Sequence, residues 1–215
     1  DMVSPEDMKK IYGSHLEYAK KVRSKMAYSQ AFVSPYIKGK TVIDWGCGPG
    51  HRSPQLIQWG ADQVIAWDPN HWCKHVFMRL YNGNQITWFE EGHIITEQMP
   101  ELRADVFYIA DVNALVGEDA FSWWEKLLNK IHCKYYICNW RLDTEAGMKA
   151  MYDENLDSFS CWYMFSPLGW NYDEPLQVYQ SDKRLSFVDH QIDYLPEDKF
   201  AYTKFPLNTL ILERN

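Results

Sequence analysis

The chain lacks any disulfide pattern. Cys47, Cys73, Cys133, Cys138 and Cys161 are odd in number and never spaced as Cys-x-x-Cys. That argues against a disulfide framework and a structural zinc site, and for a reducing compartment, expected to be the cytoplasm. No apolar run approaches the roughly 18 to 20 residues of a membrane span, and the charged N-terminus has no signal-peptide core, so no membrane partner is expected. An excess of positive charge is also missing. With 22 Lys and Arg against 29 Asp and Glu the formal charge is -7, which disfavours extended duplex binding, leaves room for a local basic patch, and suits small or neutral partners better. Internal repeats, low-complexity tracts and linkers are absent, and 215 residues with 46% hydrophobic positions make one domain around one core. The chain begins with Asp1 and not Met, as a trimmed chain or a piece cut from a longer polypeptide would.

Aromatic residues are plentiful, with 10 Trp, 14 Tyr and 10 Phe. Such an excess serves either a large core or the wall of a pocket for a flat ligand.

The periodicity changes along the chain. Ser4-Pro5-Glu6-Asp7 is a helix start, and residues 5 to about 31 carry apolar side chains at near-helical spacing, with Lys20, Lys21 and Lys25 among the residues between them. Thr41 to Trp45 is a β-rich run ending in Gly46-Cys47-Gly48-Pro49-Gly50, and a helix over Ser53 to Trp59 is closed by Gly60. Further strands are expected at Val64 to Trp67, Ile86 to Phe89, Val106 to Ala110 and Tyr135 to Cys138. Helices fall between them at His71 to Tyr81 and Glu118 to Ile131, with another at Thr144 to Asn155. Strands separated by helices imply a parallel sheet covered on both faces, so the fold class is α/β, doubly wound. From Phe159 onward short β stretches (Ser160 to Phe165, Leu176 to Gln180, Arg184 to Val188) and a final strand, Asn208 to Leu212, predict an antiparallel addition. The divisions are a helical segment over 1–36, a core over 37–157 and a β-rich region over 158–215.

Chemistry concentrates at Asp44-Trp45-Gly46-Cys47-Gly48-Pro49-Gly50, a D-x-G-x-G-x-G loop between a strand and a helix. Glycines there permit tight turns and close approach of a ligand to the main chain, and the helix N-terminus favours a negative group. After the second strand, 24 residues beyond Asp44, stands Asp68 in Trp67-Asp68-Pro69-Asn70, where a carboxylate can accept from both hydroxyls of a ribose. With the acid leading directly into the glycines, the order of elements over residues 24 to 215 resembles the class I S-adenosylmethionine-dependent methyltransferases. The resemblance implies a mostly parallel seven-stranded sheet closed by a strand antiparallel at its edge, and S-adenosyl-L-methionine as cofactor. Asp44, Gly46, Cys47, Gly48 and Gly50 would cradle its methionine part. Asp68, followed by Pro69, would bind the ribose, Glu90 or Glu91 would meet the adenine amine, and Asp111 would lie beside the methyl-sulfonium and the acceptor. A further likeness, over Gly60 to Pro100, is to wobble-uridine tRNA modification enzymes.

The residues after the fourth strand narrow the acceptor. Asp111-Val112-Asn113-Ala114 is not the Pro-Pro-aromatic run of the base-amine methyltransferases, and no cysteine has the setting of a base C5 nucleophile. Transfer to an oxygen or nitrogen remains, with Asp111 as the base or as an orienting group. One alternative is an RNA cap ribose 2′-O methyltransferase from a larger viral polypeptide. It would use Lys25 and Asp111, with Glu174 or Glu213 as the last acid. Another is a noncatalytic cofactor-binding subunit.

Plainer readings stand beside these. Lys25 also suits a solvated helix face, Asp111 a helix cap, and Cys47 a small residue packed in the loop. His51 and Arg52 are either a surface pair at a helix start or a contact to a substrate carboxylate or phosphate. His71, His75 and His93 lack ligand spacing, and no metal is expected. Trp45, Trp67 and Trp88 lie in or beside the parallel strands and are assigned to the scaffold. Phe159 to Tyr179 holds seven aromatic residues beside loop-forming Pro167, Gly169 and Pro175. Trp162, Tyr163, Trp170 and Tyr172, with Asn139 after the fifth strand, are therefore expected to line the site of a small, flat or cationic acceptor.

Overall fold

Buried parallel strands read as unbroken apolar runs, and those of this chain assemble into one sheet. The computed structural model describes residues 27–48, 52–69, 71–81, 83–93, 96–110, 120–141, 184–193 and 207–215. In chain order these form α1 (Gln30–Ile37), β1 (Thr41–Trp45), α2 (Arg52–Gln58), β2 (Gln63–Trp67), α3 (His71–Leu80) and β3 (Ile86–Trp88). Next come β4 (Leu102–Arg103), β5 (Val106–Ala110), α4 (Ala120–Lys130), β6 (Ile131–His132), β7 (Tyr135–Arg141), β8 (Leu185–Asp193) and β9 (Leu207–Arg214). Residues 5 to 26 of the expected first helix, the helix from Thr144 and the strands at Ser160 and Leu176 lie outside the described residues. Helix α1 runs to Ile37, past the expected end near residue 31, with Pro35 inside it.

The seven-stranded sheet has the order β3-β2-β1-β5-β7-β9-β8. Strands β3, β2, β1, β5 and β7 are parallel, and β9 runs antiparallel to both β7 and β8. The sheet is thus α/β and mostly parallel with antiparallel C-terminal strands, as expected. One detail differs. The final strand lies between β7 and β8 and not at the edge, because Leu210, Ile211 and Leu212 are all buried and need cover on both faces and both sides. The short pair β4–β6 forms a separate parallel ribbon that the sequence pattern does not announce.

Two apolar layers sandwich the sheet. Ile43, Trp45, Phe107, Ile109 and Tyr136 face the layer containing Leu127 and Leu128 of α4. Val42, Val64, Val106, Tyr108 and Ile137 face Val33 and Ile37 of α1 and Leu56 of α2. Arg214 fastens the far end, its Nη1 donating to Leu128 O at 2.9 Å and to the Tyr136 hydroxyl at 3.0 Å, a cation placed where the last turn of α4 exposes carbonyls.

The chain passes from β1 to β2 and β3 on one side, then crosses to β5 on the other. The strand order therefore reverses between β1 and β5, and open α/β sheets bind ligands beyond the carboxyl ends of their strands at such a reversal.

Candidate functional site: the carboxyl ends of β1 and β2

The loop after β1 turns on two glycines in the left-handed region, Gly46 at φ 68° and Gly48 at φ 59°, a conformation that costs a residue with a Cβ about 1–2 kcal/mol. Its amides are tied to the end of β2. Gly46 N–H and Cys47 N–H both donate to Trp67 O, at 2.8 and 3.0 Å, and Gly48 N–H donates to Asp68 Oδ2 at 2.8 Å. The carboxylate of Asp68 also accepts from the thiol of Cys73 on α3. Burial, then the charge and hydrogen bond of Asp68, push that thiol up from its ordinary value. Cys47 is buried against Ala66 and Phe77, and burial followed by the charge of Asp44 holds its thiol well above the usual range. Neither thiol is poised as a nucleophile.

Beneath the loop sits a buried ionic cluster. Asp44 is fully buried and accepts from Ser53 Oγ at 2.8 Å through Oδ2, while its Oδ1 lies 3.5 Å from Arg52 Nε. Burial raises the Asp44 carboxyl, and the Arg52 guanidinium and Ser53 hydroxyl oppose that shift. Arg52 is only 8% exposed. It donates through Nη1 to Ala110 O at 2.6 Å and through Nη2 to Gly46 O. Of the two readings of Arg52 from sequence, the surface pair is therefore wrong. The side chain points under the loop because three acceptors converge there. His51 lies outside the described residues.

Beside the loop is a pocket of about 280 Å³ lined by Trp67, Asp68, Pro69, Lys74, Trp88, Glu90, Gly92 and His93. That volume is at the low end for ligand pockets and suits one nucleoside-sized portion of a larger ligand. Trp67 and Trp88, assigned from sequence to the scaffold, line this pocket, whereas Trp45 packs beside Trp67 with ring centroids 4.2 Å apart. Gly92 is needed for the fit, since a Cβ there would lie 2.1 Å from Trp67 Cδ1. Glu90 reaches the rim and pairs with Lys74 Nζ at 2.6 Å, and Glu91 is exposed without lining the pocket. Lys74 and Gly92 carry no sequence signal beyond an ordinary helix lysine and a turn glycine.

The structure thus brings together Asp44, Gly46, Cys47, Gly48, Asp68, Pro69 and Glu90. Asn139 is buried on β7 opposite Ala110, with its Nδ2 donating to Thr209 Oγ1 at 2.9 Å, so its amide is engaged with β9. Glu213 pairs with Tyr135 at the amino end of β7, the opposite end of the sheet from the pocket, and does not join a ribose-methylation set. Lys25, Gly50, Asp111, Trp162, Tyr163, Trp170, Tyr172 and Glu174 lie outside the described residues. Among the described residues, no cluster of His, Cys, Asp and Glu is arranged for a metal ion, and no helix is long and apolar enough to cross a membrane.

No model of a known protein family matches the chain. Over 82 residues it is 35% identical to the tRNA U34 carboxymethyltransferase of Pseudomonas savastanoi, a stretch covering 36% of this chain and 24% of that protein. The chain therefore spans about a quarter of the length of the curated relatives it matches. Among solved structures, a chain from the Haloferax volcanii complex of a methyltransferase activator with a methyltransferase superposes with a TM-score of 0.66 at 12% identity, covering 100% of this chain and 99% of that one. The magnesium protoporphyrin IX methyltransferase of Synechocystis, solved with S-adenosylhomocysteine bound, gives 0.58 at 16% identity, covering 97% and 92%. Strand order, the reversal at β1 and β5 and these superpositions agree: the chain has the class I S-adenosylmethionine-dependent methyltransferase fold.

Proposed function

We propose that the chain binds S-adenosylmethionine across the carboxyl ends of β1 and β2 and transfers its activated group to a nucleophilic oxygen or nitrogen. The observation that carries this reading is Asp68. Its carboxylate is fixed at the end of β2 by the Gly48 amide and faces a pocket walled by indoles, an arrangement suited to a ribose with a flat base beyond it. Trp67, Pro69 and Trp88 would enclose the base, and Glu90, held by Lys74, would accept from its amine. The left-handed turns at Gly46 and Gly48, with no Cβ in the way, would let the amino-acid end lie against the main chain. The cofactor would supply a sulfonium, already a strong group donor, so the protein's share is alignment of the acceptor and removal of its proton. Asp111, the residue after Ala110 in the sequence, would orient or deprotonate the acceptor.

For the acceptor, the likeness to tRNA U34 carboxymethyltransferases favours an RNA nucleotide. The charge of -7 favours the second reading, a small molecule. Incubation of the chain with labelled S-adenosylmethionine and, separately, tRNA and a small-metabolite fraction tests both. Label in RNA that falls with added salt supports the first reading, and label in a small molecule the second. With S-adenosylmethionine as the only donor the group that moves is a methyl, and a product heavier by one CH2 than the acceptor shows it. Cofactor binding without transfer to either, unchanged by Asp111→Ala, would make the chain a noncatalytic binding subunit.

A further inference from the structure

We propose that Arg52 is a positioning residue of this site, a guanidinium rung that fixes the gap between the glycine loop and the end of β5. The inference rests on the cofactor reading above, because that gap is where the amino-acid end of the cofactor would lie.

The sheet supplies the geometry. Strands β1 and β5 are paired in register up to Trp45 and Ile109. The next residue on each side is Gly46 and Ala110, where the chains part and the ladder ends. Their carbonyls still require donors, that of Ala110 in a buried place and that of Gly46 in a half-buried one. Nη1 of Arg52 serves Ala110 O at 2.6 Å and Nη2 serves Gly46 O, so one side chain continues the pairing one residue beyond the last rung.

The location is otherwise a poor one for arginine. The first turn of a helix disfavours a cation, and a buried guanidinium loses its hydration. Asp44 offsets both, 3.5 Å from Nε and itself oriented by Ser53. The planar fork matters, because two N–H groups diverge from one rigid plane toward two carbonyls, one in the loop after β1 and one at the end of β5, and an ammonium offers no such fixed pair. Gly46, whose carbonyl is held, also anchors its own amide on Trp67 O. Arg52 thereby sets the loop relative to β2 on one side and β5 on the other.

The test compares two probes by calorimetry on the full chain: S-adenosylhomocysteine, which spans the pocket and the loop, and adenosine, which needs only the pocket from Trp67 to His93. Wild type is expected to prefer S-adenosylhomocysteine. In Arg52→Met that preference should fall by about tenfold or more while adenosine affinity stays within about twofold. Arg52→Lys, which keeps a charge beside Asp44, should lose part of the preference, and it carries the test if the methionine variant does not fold. Loss of both affinities by the same factor would reduce Arg52 to a fold-stabilising residue and overturn the proposal, as would an unchanged preference in both variants. If folded wild type binds neither probe, the cofactor reading fails and takes the proposal with it. If wild type discriminates and the variants match it, only the role of Arg52 falls.

Discussion

The two halves of the sheet meet at β1 and β5, and they end differently. On the β1-β2-β3 side the strand ends carry groups held by main-chain and side-chain partners yet open to a pocket: Asp68 on the Gly48 amide, Glu90 on Lys74, Trp67 against Gly92. On the β7-β9-β8 side the polar groups at equivalent height satisfy each other inside the sheet, as Asn139 does with Thr209. The same sheet geometry thus leaves a pocket beyond the strand ends on one side and, among the described residues, a side-chain pair closed between neighbouring strands on the other. The difference lies in whether a strand is followed by a turn whose amides fasten the next strand's carboxylate at a pocket or by a neighbouring antiparallel strand that consumes the side chains.

Substitutions sharpen the contrast. The largest effect is expected at the seam, where Asp44→Ala strips the buried Arg52 guanidinium of its carboxylate. Breaking such a pair costs about 3–5 kcal/mol, and denaturant unfolding should show it. On the recognition side, Gly92→Ala forces a Cβ into the Trp67 indole. An overpacking cost of about 1–3 kcal/mol should appear as a lowered Tm together with weaker S-adenosylhomocysteine binding. Gly83→Ala, with nothing within 4 Å, is the control and should change neither. On the packing side, Thr209→Val leaves the buried Asn139 amide without its partner. It should cost about 1–3 kcal/mol of stability and leave cofactor affinity untouched. Weakened binding in Thr209→Val, with Tm unchanged, would erase the distinction between the two edges.

Most of the sheet was legible in the sequence because its parallel strands are apolar runs cut by glycine turns, and β5 falls on the residues the pattern assigns. The order of the last two strands was not. Register and neighbours of β9 depend on which faces Leu210 to Leu212 must bury, a tertiary matter. The glycine loop and Asp68 were legible as a pattern because each directly follows a β-rich run, and the structure sets them after β1 and β2. Arg52 was not, since its burial is decided by a carbonyl on Ala110, 58 residues away in sequence. Trp67 and Trp88 pack with the core, as the sequence assigns them, and their second role as pocket wall was not legible because it depends on the turn that brings Gly92 and His93 beside them.

The effect that is smallest at neutral pH, and grows only in alkali, is a pH dependence of the packing layer. Burial pushes the Cys133 thiol up from 9.0 to about 12, and Cys47, Cys73 and Cys138 are raised by burial as well. The folded chain keeps these protons at a pH where the unfolded chain releases them. The unfolded state then binds fewer protons, so the thiols' contribution to unfolding free energy should be constant below pH about 9 and fall as pH rises from there toward about 12. Cys133→Ala should flatten part of that slope in unfolding curves collected across the range. A slope unchanged by the substitution would show that the Cys133 thiol does not contribute to it.

The central claim is that the edge formed by β1 and β2 is a nucleoside-cofactor site organised by Asp68. Calorimetric titration of S-adenosylhomocysteine into the wild-type chain and into Asp68→Ala tests it most directly. One molecule should bind per wild-type chain, and the variant, folded but lacking the ribose acceptor, should bind about a hundredfold more weakly. No binding by the folded wild type, or undiminished affinity in Asp68→Ala, would contradict it.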